Sequence, residues 1–316
     1  MRRIPLDNAG LSDRPRSHAS PVGQTNPPES LSRREFLAGT AAVGVSLFMQ
    51  TSRPSTRQEN ATSWAWLADT HISRNASKSV RGTNMAGNLR RVVESLLAEH
   101  PDRVLFNGDI AFEKGLPDDY GAFLRIIEPL KTHGIPMHFT PGNHDQRENF
   151  TSALEPMVAS PLDGKRVAGL DDGGVRWVFL DSLERVNAFS GMLGPAQLDW
   201  LTRELDAHAD CATIVCLHHH PEATVIGLKD ADSFVDVVKA RRQVKAVVFG
   251  HTHRYRRWTL ERLHFINLPA VGFWFSPTTP LGWLHARVRP ETLELQMHTL
   301  KAETIVKQDV EHLPLR

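Results

Sequence analysis

Trp64-Ala65-Trp66-Leu67-Ala68-Asp69-Thr70-His71 begins as five apolar residues and ends in an acid followed, two positions on, by a histidine. An apolar run of this length reads as a buried strand with the acid and histidine at its carboxyl-terminal tip. Side chains alternate on an extended chain, so Asp69 and His71 share a face and can chelate one cation. Alone, the pair reads more readily as a turn acid beside a surface histidine.

The same design recurs four times downstream. Strand 103–107 leads into Gly108-Asp109, strand 136–140 into Pro141-Gly142-Asn143-His144-Asp145, strand 212–217 into His218-His219-His220-Pro221, and strand 244–249 into Gly250-His251-Thr252-His253. Each block has a bland reading by itself, as a turn, a helix cap or a polar loop. Five of them, each directly after an apolar run, argue for one site. In open α/β sheets ligands collect beyond the carboxyl ends of the strands, where all five blocks stand.

Helical periodicity predicts helices over 85–99, 118–132, 146–156, 195–207 and 231–241. Leu89, Val92, Val93, Leu96 and Leu97 form one stripe of the first, and Pro195 sits in the first turn of the fourth. With a further strand over 175–181, the alternation predicts an α/β protein, a mixed or parallel sheet covered by helices. Segments 254–259, 262–267, 283–289 and 293–299 read as a meander completing a second sheet. The domain is placed at 63–305, with a linker over 51–62 and a tail over 306–316.

Residues 1–30 are rich in Pro, Ser, Arg and Asn without apolar periodicity, a composition of disordered segments. Ser32-Arg33-Arg34-Glu35-Phe36-Leu37 then precedes an uncharged run ending at Met49. A twin arginine before a modest apolar segment resembles a twin-arginine export signal, the competing reading being a short buried helix after a basic turn. The run is shorter than the about 20 apolar residues that span a bilayer. The expectation is an exported protein, periplasmic or extracellular, that engages the twin-arginine machinery and has no integral membrane domain beyond an uncleaved signal.

The chain has 316 residues, 41% of them hydrophobic and 23% charged, enough for one substantial core. The first fifty residues hold six arginines and four acids, so of the 37 basic and 36 acidic residues 31 and 32 remain in the body. That balance excludes a concentrated basic face for nucleic acid, and Arg254, Arg256 and Arg257 read as a solvated strand edge. Cys211 and Cys216 lie about 16 Å apart along a strand and on opposite faces, too far for a disulfide.

Imidazole, carboxylate and amide donors without thiolates suit Mn, Fe or Zn and disfavour a structural zinc site. About seven donors exceed what one catalytic ion takes, which calls for two ions about 3.5–4 Å apart with an anionic bridge.

The ordered series Asp-x-His, Gly-Asp, Gly-Asn-His-Asp, His-His-His-Pro and Gly-His-x-His resembles the calcineurin-like metallophosphoesterase superfamily, over about residues 64 to 300. The three-histidine block, and Gly194-Pro195-Ala196-Gln197-Leu198-Asp199-Trp200-Leu201 after Leu180-Asp181-Ser182, are similar to its bacterial cyclic-nucleotide phosphodiesterase-like branch. Glu222 stands where that block usually has a second proline, which leaves the loop shape open.

The resemblance implies two mixed β-sheets packed as a sandwich with helices on the outer faces, and hydrolysis of a small phosphate ester by water that two metal ions activate. It implies that Asp69, His71 and His253 hold one ion, that Asn143, His218 and His251 hold the other, and that Asp109 bridges both. His218 is the expected ligand of its block, with His220 as the same-face rival and His219 facing away or touching substrate. His144 is implied as general acid or charge stabiliser, with Asp145 orienting its ring or capping helix 146–156.

Phosphodiesters are favoured over monoesters. The competing class is a non-catalytic member of this fold that holds a phosphate or other ligand in its cleft. His100, His133, His138, His208, His264 and His285 lack ligand spacing, and Phe273, Trp274 and Phe275 read as core aromatics, with a place on the border of the cleft as the alternative.

Overall fold

The parallel strands that precede the ligand blocks divide between two six-stranded sheets. The computed structural model describes residues 61–154 and 160–315. In chain order the elements are β1 (Thr62–Leu67), the short hairpin β2 (Ser79–Val80) and β3 (Thr83–Asn84), α1 (Met85–Glu99), β4 (Arg103–Asn107), α2 (Pro117–Thr132), β5 (Met137–Thr140) and α3 (Arg147–Leu154). They continue with β6 (Ala168–Asp172), β7 (Val175–Phe179), α4 (Pro195–Ala207), β8 (Ala212–Cys216), α5 (Ala231–Lys239) and β9 (Val244–Phe249). The chain ends with β10 (Arg256–Leu260), β11 (Leu263–Asn267), β12 (Leu281–Arg289), β13 (Thr292–Lys301) and β14 (Thr304–Pro314).

The first sheet has the order β14-β13-β12-β1-β4-β5, with β1, β4 and β5 parallel and the other three antiparallel. The second has the order β10-β11-β9-β8-β7-β6, parallel from β11 to β7 with an antiparallel strand on each edge.

Alternation along β1 decides the layering. Trp64 and Trp66 enter an apolar layer with Trp177, Ile214 and Val248 of the second sheet, where Trp64 stacks on Trp177 at 3.9 Å. Ala65 and Leu67 face the opposite way, against α1 and α2. Helices α4 and α5 cover the outer face of the second sheet through Leu201, Leu205, Phe234 and Val238. The result is the α/β/β/α sandwich expected above.

Three features depart from the sequence reading. The C-terminal meander does not complete one sheet: β10 and β11 extend the second, whereas β12 and β13 extend the first. The segment read as a tail from 306 forms most of β14, an edge strand on β13 whose end buries Leu313 and Leu315 between the sheets. Its polar residues are those of an edge strand, half of which faces water. Finally, β6 pairs with β7 across Gly173 (φ 59°) and Gly174 (φ 78°), a two-glycine turn of the kind that closes tight hairpins.

Both cysteines are free thiols, as their spacing predicted. The N-terminal readings over 1–50, and residues 51–60 of the linker, lie outside the described residues. Among the described residues no helix is long and apolar enough to cross a membrane.

Candidate metal centre

The two sheets are joined at their carboxyl-terminal edge by Asn107, the last residue of β4. Its amide donates to Leu217 O at 2.9 Å and Val248 O at 3.3 Å, and its Oδ1 accepts from Thr140 Oγ1 at 2.6 Å. One buried side chain thus sets the ends of β4, β5, β8 and β9 beside one another, and with them four of the five blocks. The fifth, after β1, is tied in by His71 N donating to Asp109 O at 2.9 Å and by the His251 amide donating to the Asp69 carboxylate.

The backbone turns sharply at these positions. Asp69 (φ 56°), His71 (48°), Asp109 (49°), His251 (72°) and His253 (54°) all occupy the left-handed region. That conformation costs a non-glycine residue of order 1 kcal/mol or more and clusters where function holds it. Glycine is required where backbones approach: a Cβ on Gly142 would lie 2.2 Å from Asp109 Oδ1, and one on Gly108 would lie 2.2 Å from His218 Nδ1.

Six of the predicted ligands fall into two interlocking groups. Donor atoms of Asp69, His71 and His253 lie within 4.8 Å of one another, as do those of Asp109, His218 and His251. His253 Nε2 is 3.3 Å from Asp69 Oδ1, and His71 Nε2 is 3.1 Å from His253 Nε2. Asp109 Oδ2 lies 3.3 Å from His218 Nε2 and 3.7 Å from His71 Nε2, so it faces both groups. Two ligand atoms each about 2.1 Å from one tetrahedral ion stand about 3.4 Å apart, the range these separations occupy.

Two of the candidate ligand rings are held from behind. His218 Nδ1 bonds Asn107 O at 3.0 Å and His253 Nδ1 bonds Phe273 O at 2.6 Å, which turns each Nε2 inward. Asn143 Oδ1 and His218 Nε2 are buried and have no hydrogen-bond partner. A buried amide oxygen and a buried imidazole, beside two buried carboxylates, are the donor set of a cation site.

The electrostatics agree. Burial would raise the Asp69 and Asp109 carboxyls, but the surrounding histidines hold both below the ordinary carboxylate range. Burial drives His71 down to about 3 and His251 down to about 4, leaving both as neutral imidazoles. Burial also works to lower His218, yet Asp109 and then Asp69 lift it to about 9, so this spot favours positive charge.

The triple histidine separates cleanly. Only His218 faces the carboxylates. His219 is buried against Ser182 Oγ at 2.8 Å, and His220 bonds Thr224 Oγ1 at 2.9 Å. The same-face rival is drawn off by that bond to Thr224.

His144 borders the centre, with its ring 5.2 Å from that of His71 and its amide on Asp109 Oδ1 at 2.8 Å. Its Nδ1 bonds Glu113 O at 3.0 Å. Asp145 does not orient this ring, contrary to expectation. Its buried carboxylate accepts from the amides of Ile110, Ala111 and Gly142 and from Tyr120 Oη at 2.9 Å. Nor does it cap α3, since Gln146 Oε1 takes the Asn149 amide at 2.7 Å. Asp145 instead locks the loops after β4 and β5 together.

The aromatic reading also changes. Phe275 is 50% exposed and stacks on His253 at 4.2 Å, and Phe273 lies 4.6 Å from the same ring, so both border the centre. Sequence reasoning missed Asn107, whose only signal was a polar residue ending an apolar run, and Asn187, whose amide donates to Asn143 O at 2.7 Å.

A family model for calcineurin-like phosphoesterases matches residues 65–255. A protein of a Synechococcus species, described as a probable cyclic nucleotide phosphodiesterase, is 30% identical over 249 residues, 76% of this chain and 93% of its own length. The 3′,5′-cyclic adenosine monophosphate phosphodiesterase of Pseudomonas aeruginosa is 31% identical over 67% of this chain and 76% of its own. The fold is similar to a dimetal phosphatase from Danio rerio, with a TM-score of 0.65 at 15% identity over 81% of this chain and 99% of that one.

Proposed function

The chain belongs to the calcineurin-like phosphoesterase family, and from that premise we propose that it hydrolyses phosphodiesters at a dinuclear metal centre. The observation that carries the proposal is Asp109, whose Oδ2 faces His218 Nε2 at 3.3 Å and His71 Nε2 at 3.7 Å. It is a carboxylate that faces both ligand groups, as Asp69 Oδ1 also does at 3.3 Å from His253 Nε2 and 3.8 Å from His218 Nε2. In this reading Asp69, His71 and His253 hold one ion, and Asn143, His218 and His251 hold the other. The donors suit Mn, Fe or Zn.

Bound ions of this kind neutralise phosphoryl charge and bring a water's pKa to about 7. The chain's residues do the rest. Asp109, with Oδ1 held by the His144 amide, keeps its Oδ2 between the two ligand groups. His144, its Nδ1 on Glu113 O and its ring beside that of His71, is the group placed to offset developing charge or protonate the leaving group. Asn143 is a neutral ligand, so the centre stays net positive toward a phosphate ester. Phe275 and Phe273 offer an aromatic border for an organic ester group. The border and the names of the two bacterial relatives support a diester with a planar substituent.

Hydrolysis of bis(4-nitrophenyl) phosphate should exceed that of 4-nitrophenyl phosphate, need added Mn, Fe or Zn, and vanish with chelator. Asp109→Ala should lose about 4 kcal/mol of transition-state stabilisation, about a thousandfold in kcat/KM. Undiminished turnover in that variant or in metal-free protein would sink the proposal. Two ions per chain with no turnover across an ester panel would favour the ligand-binding alternative.

Export through the twin-arginine machinery to the periplasm or beyond is also proposed, from Ser32-Arg33-Arg34-Glu35-Phe36-Leu37. Replacing Arg33 and Arg34 together by lysine should leave the protein in the cytoplasmic fraction.

A further inference from the structure

Metal-ligand types meet again on the helix-facing side of the first sheet, away from the strand ends that carry the ligand blocks. Glu99 is the last residue of α1, His285 lies on β12 opposite Ala65, and His298 lies on β13 opposite Trp283. One donor atom from each of the three lies within 4.8 Å of the other two. Ala65 and Trp283 belong to the apolar layer beneath α1, so His285, paired with Ala65, and His298, paired with Trp283, face that helix too.

His298 carries the argument. It is 0% exposed, its ring lies 4.0 Å from Trp283, and neither of its nitrogens has a hydrogen-bond partner. An unpaired buried polar group costs about 1–3 kcal/mol, and a phenylalanine would fill this place without that cost.

His285 is oriented as ligating histidines are. Its Nε2 bonds Ser63 Oγ at 2.6 Å, and its Nδ1 is turned toward Glu99 Oε2 at 4.0 Å. Glu99 sits at the negative end of the α1 dipole, and the last turn of that helix has no basic residue. A cation at this position is favoured for both reasons.

We propose that Glu99, His285 and His298 form a mononuclear divalent-cation site, separate from the phosphoesterase centre, that pins the end of α1 to β12 and β13. Two imidazoles and a carboxylate, with a fourth position left for water, suit zinc in tetrahedral geometry. Lys307 is the built-in rival. Its ammonium bonds Glu99 Oε1 at 2.6 Å, and its side chain is 53% exposed, so it can stay on that oxygen or swing into solvent.

The test counts zinc. Full-length protein equilibrated with Zn²⁺ and dialysed should hold about one equivalent more than His298→Phe or Glu99→Gln, with hydrolysis rates unchanged because these residues lie away from the catalytic blocks. Co²⁺ loaded in its place should add a visible absorption component to that of the dinuclear centre, and both variants should lose the added component. Lys307→Ala, which removes the rival, should tighten zinc binding at this site by about tenfold.

Equal zinc in wild type and Glu99→Gln would overturn the proposal and leave a Glu99–Lys307 ion pair beside buried neutral histidines. Glu99→Gln keeps the side-chain shape, so the comparison survives if His298→Phe fails to fold. The extra equivalent in a protein without esterase activity would refute the catalytic reading and support this one.

Discussion

Gly108→Ala tests whether the strand ends hold the ligands by backbone packing. Gly108 has φ +83°, and a Cβ there would lie 2.2 Å from His218 Nδ1 and 2.4 Å from its Cγ. Relaxing 2.2 Å to an ordinary 3.4 Å contact moves the His218 ring back by about 1.2 Å, which also breaks its bond to Asn107 O. A misplacement of about 1 Å at a catalytic ligand costs about 10²-fold in rate, about 2.7 kcal/mol of barrier.

The backbone cost of alanine at positive φ is separate, about 1–2 kcal/mol of stability. Gly82→Ala isolates that cost, because Gly82 has nearly the same φ, +79°, and nothing within 4 Å of its Cβ position. Urea titration should therefore show the backbone loss alone in Gly82→Ala and a larger loss in Gly108→Ala, which also gives up the His218–Asn107 bond. The hundredfold fall in kcat/KM for bis(4-nitrophenyl) phosphate, with reduced metal content, should appear in Gly108→Ala alone. A Gly108→Ala enzyme within about threefold of wild type and carrying its full metal complement would refute the reasoning.

Asp145→Ala should destabilise the fold by about 3 kcal/mol or more, since four donors lose their acceptor, whereas Tyr120→Phe should cost about 1 kcal/mol. A slowed enzyme of undiminished stability would instead restore a chemical role for Asp145. His138, buried against Phe179 and Trp64, has its pKa lowered by burial and then by Arg103 to about 4, against 6.5 when unfolded. The unfolded chain therefore takes the proton first, so the contribution of His138 is complete above pH 6.5 and declines as pH falls toward 4. The loss levels off near about 3 kcal/mol. His138→Gln should flatten that part of the urea midpoint against pH, and an unchanged slope would contradict the linkage. Phe275→Ala should raise KM for aromatic diesters by about fivefold and leave kcat nearly unchanged, a pattern that steady-state kinetics would miss only if the aromatic border does not touch substrate.

Much of the fold could be read from local pattern. The periodicity of 85–99 and Pro195 at the start of 195–207 matched α1 and α4 to the residue, because each helix carries its buried stripe and boundary signals within its own sequence. The edge strands escaped. β14 is mostly exposed, and its register on β13 is set by its partner rather than by its own pattern. β6 is likewise short and polar, although Gly173-Gly174 marked its turn.

Within the site, residue type and position at a strand end pointed to Asp69, His71, Asp109, Asn143, His218, His251 and His253. The role given to Asp145 failed because adjacency to His144 is not contact. The loop turns between them, and the amides of Ile110 and Ala111 claim the carboxylate. His298 carried no spacing signal at all, since its neighbours Glu99 and His285 come from α1 and β12.

Residue order alone sets the chemistry available: which strands end in acids, amides and imidazoles, and that these outnumber the needs of one ion. Those are properties of residue type and of a two-residue period, both local. The tertiary structure alone decided which atoms face one another. Asn107 sets strand ends from both sheets side by side, left-handed turns at Asp69, His71, Asp109, His251 and His253 aim the side chains, and burial between two sheets fixes the register. Each of these depends on residues far apart in the chain, and the cost of leaving a buried polar group unpaired is what makes the arrangement unique.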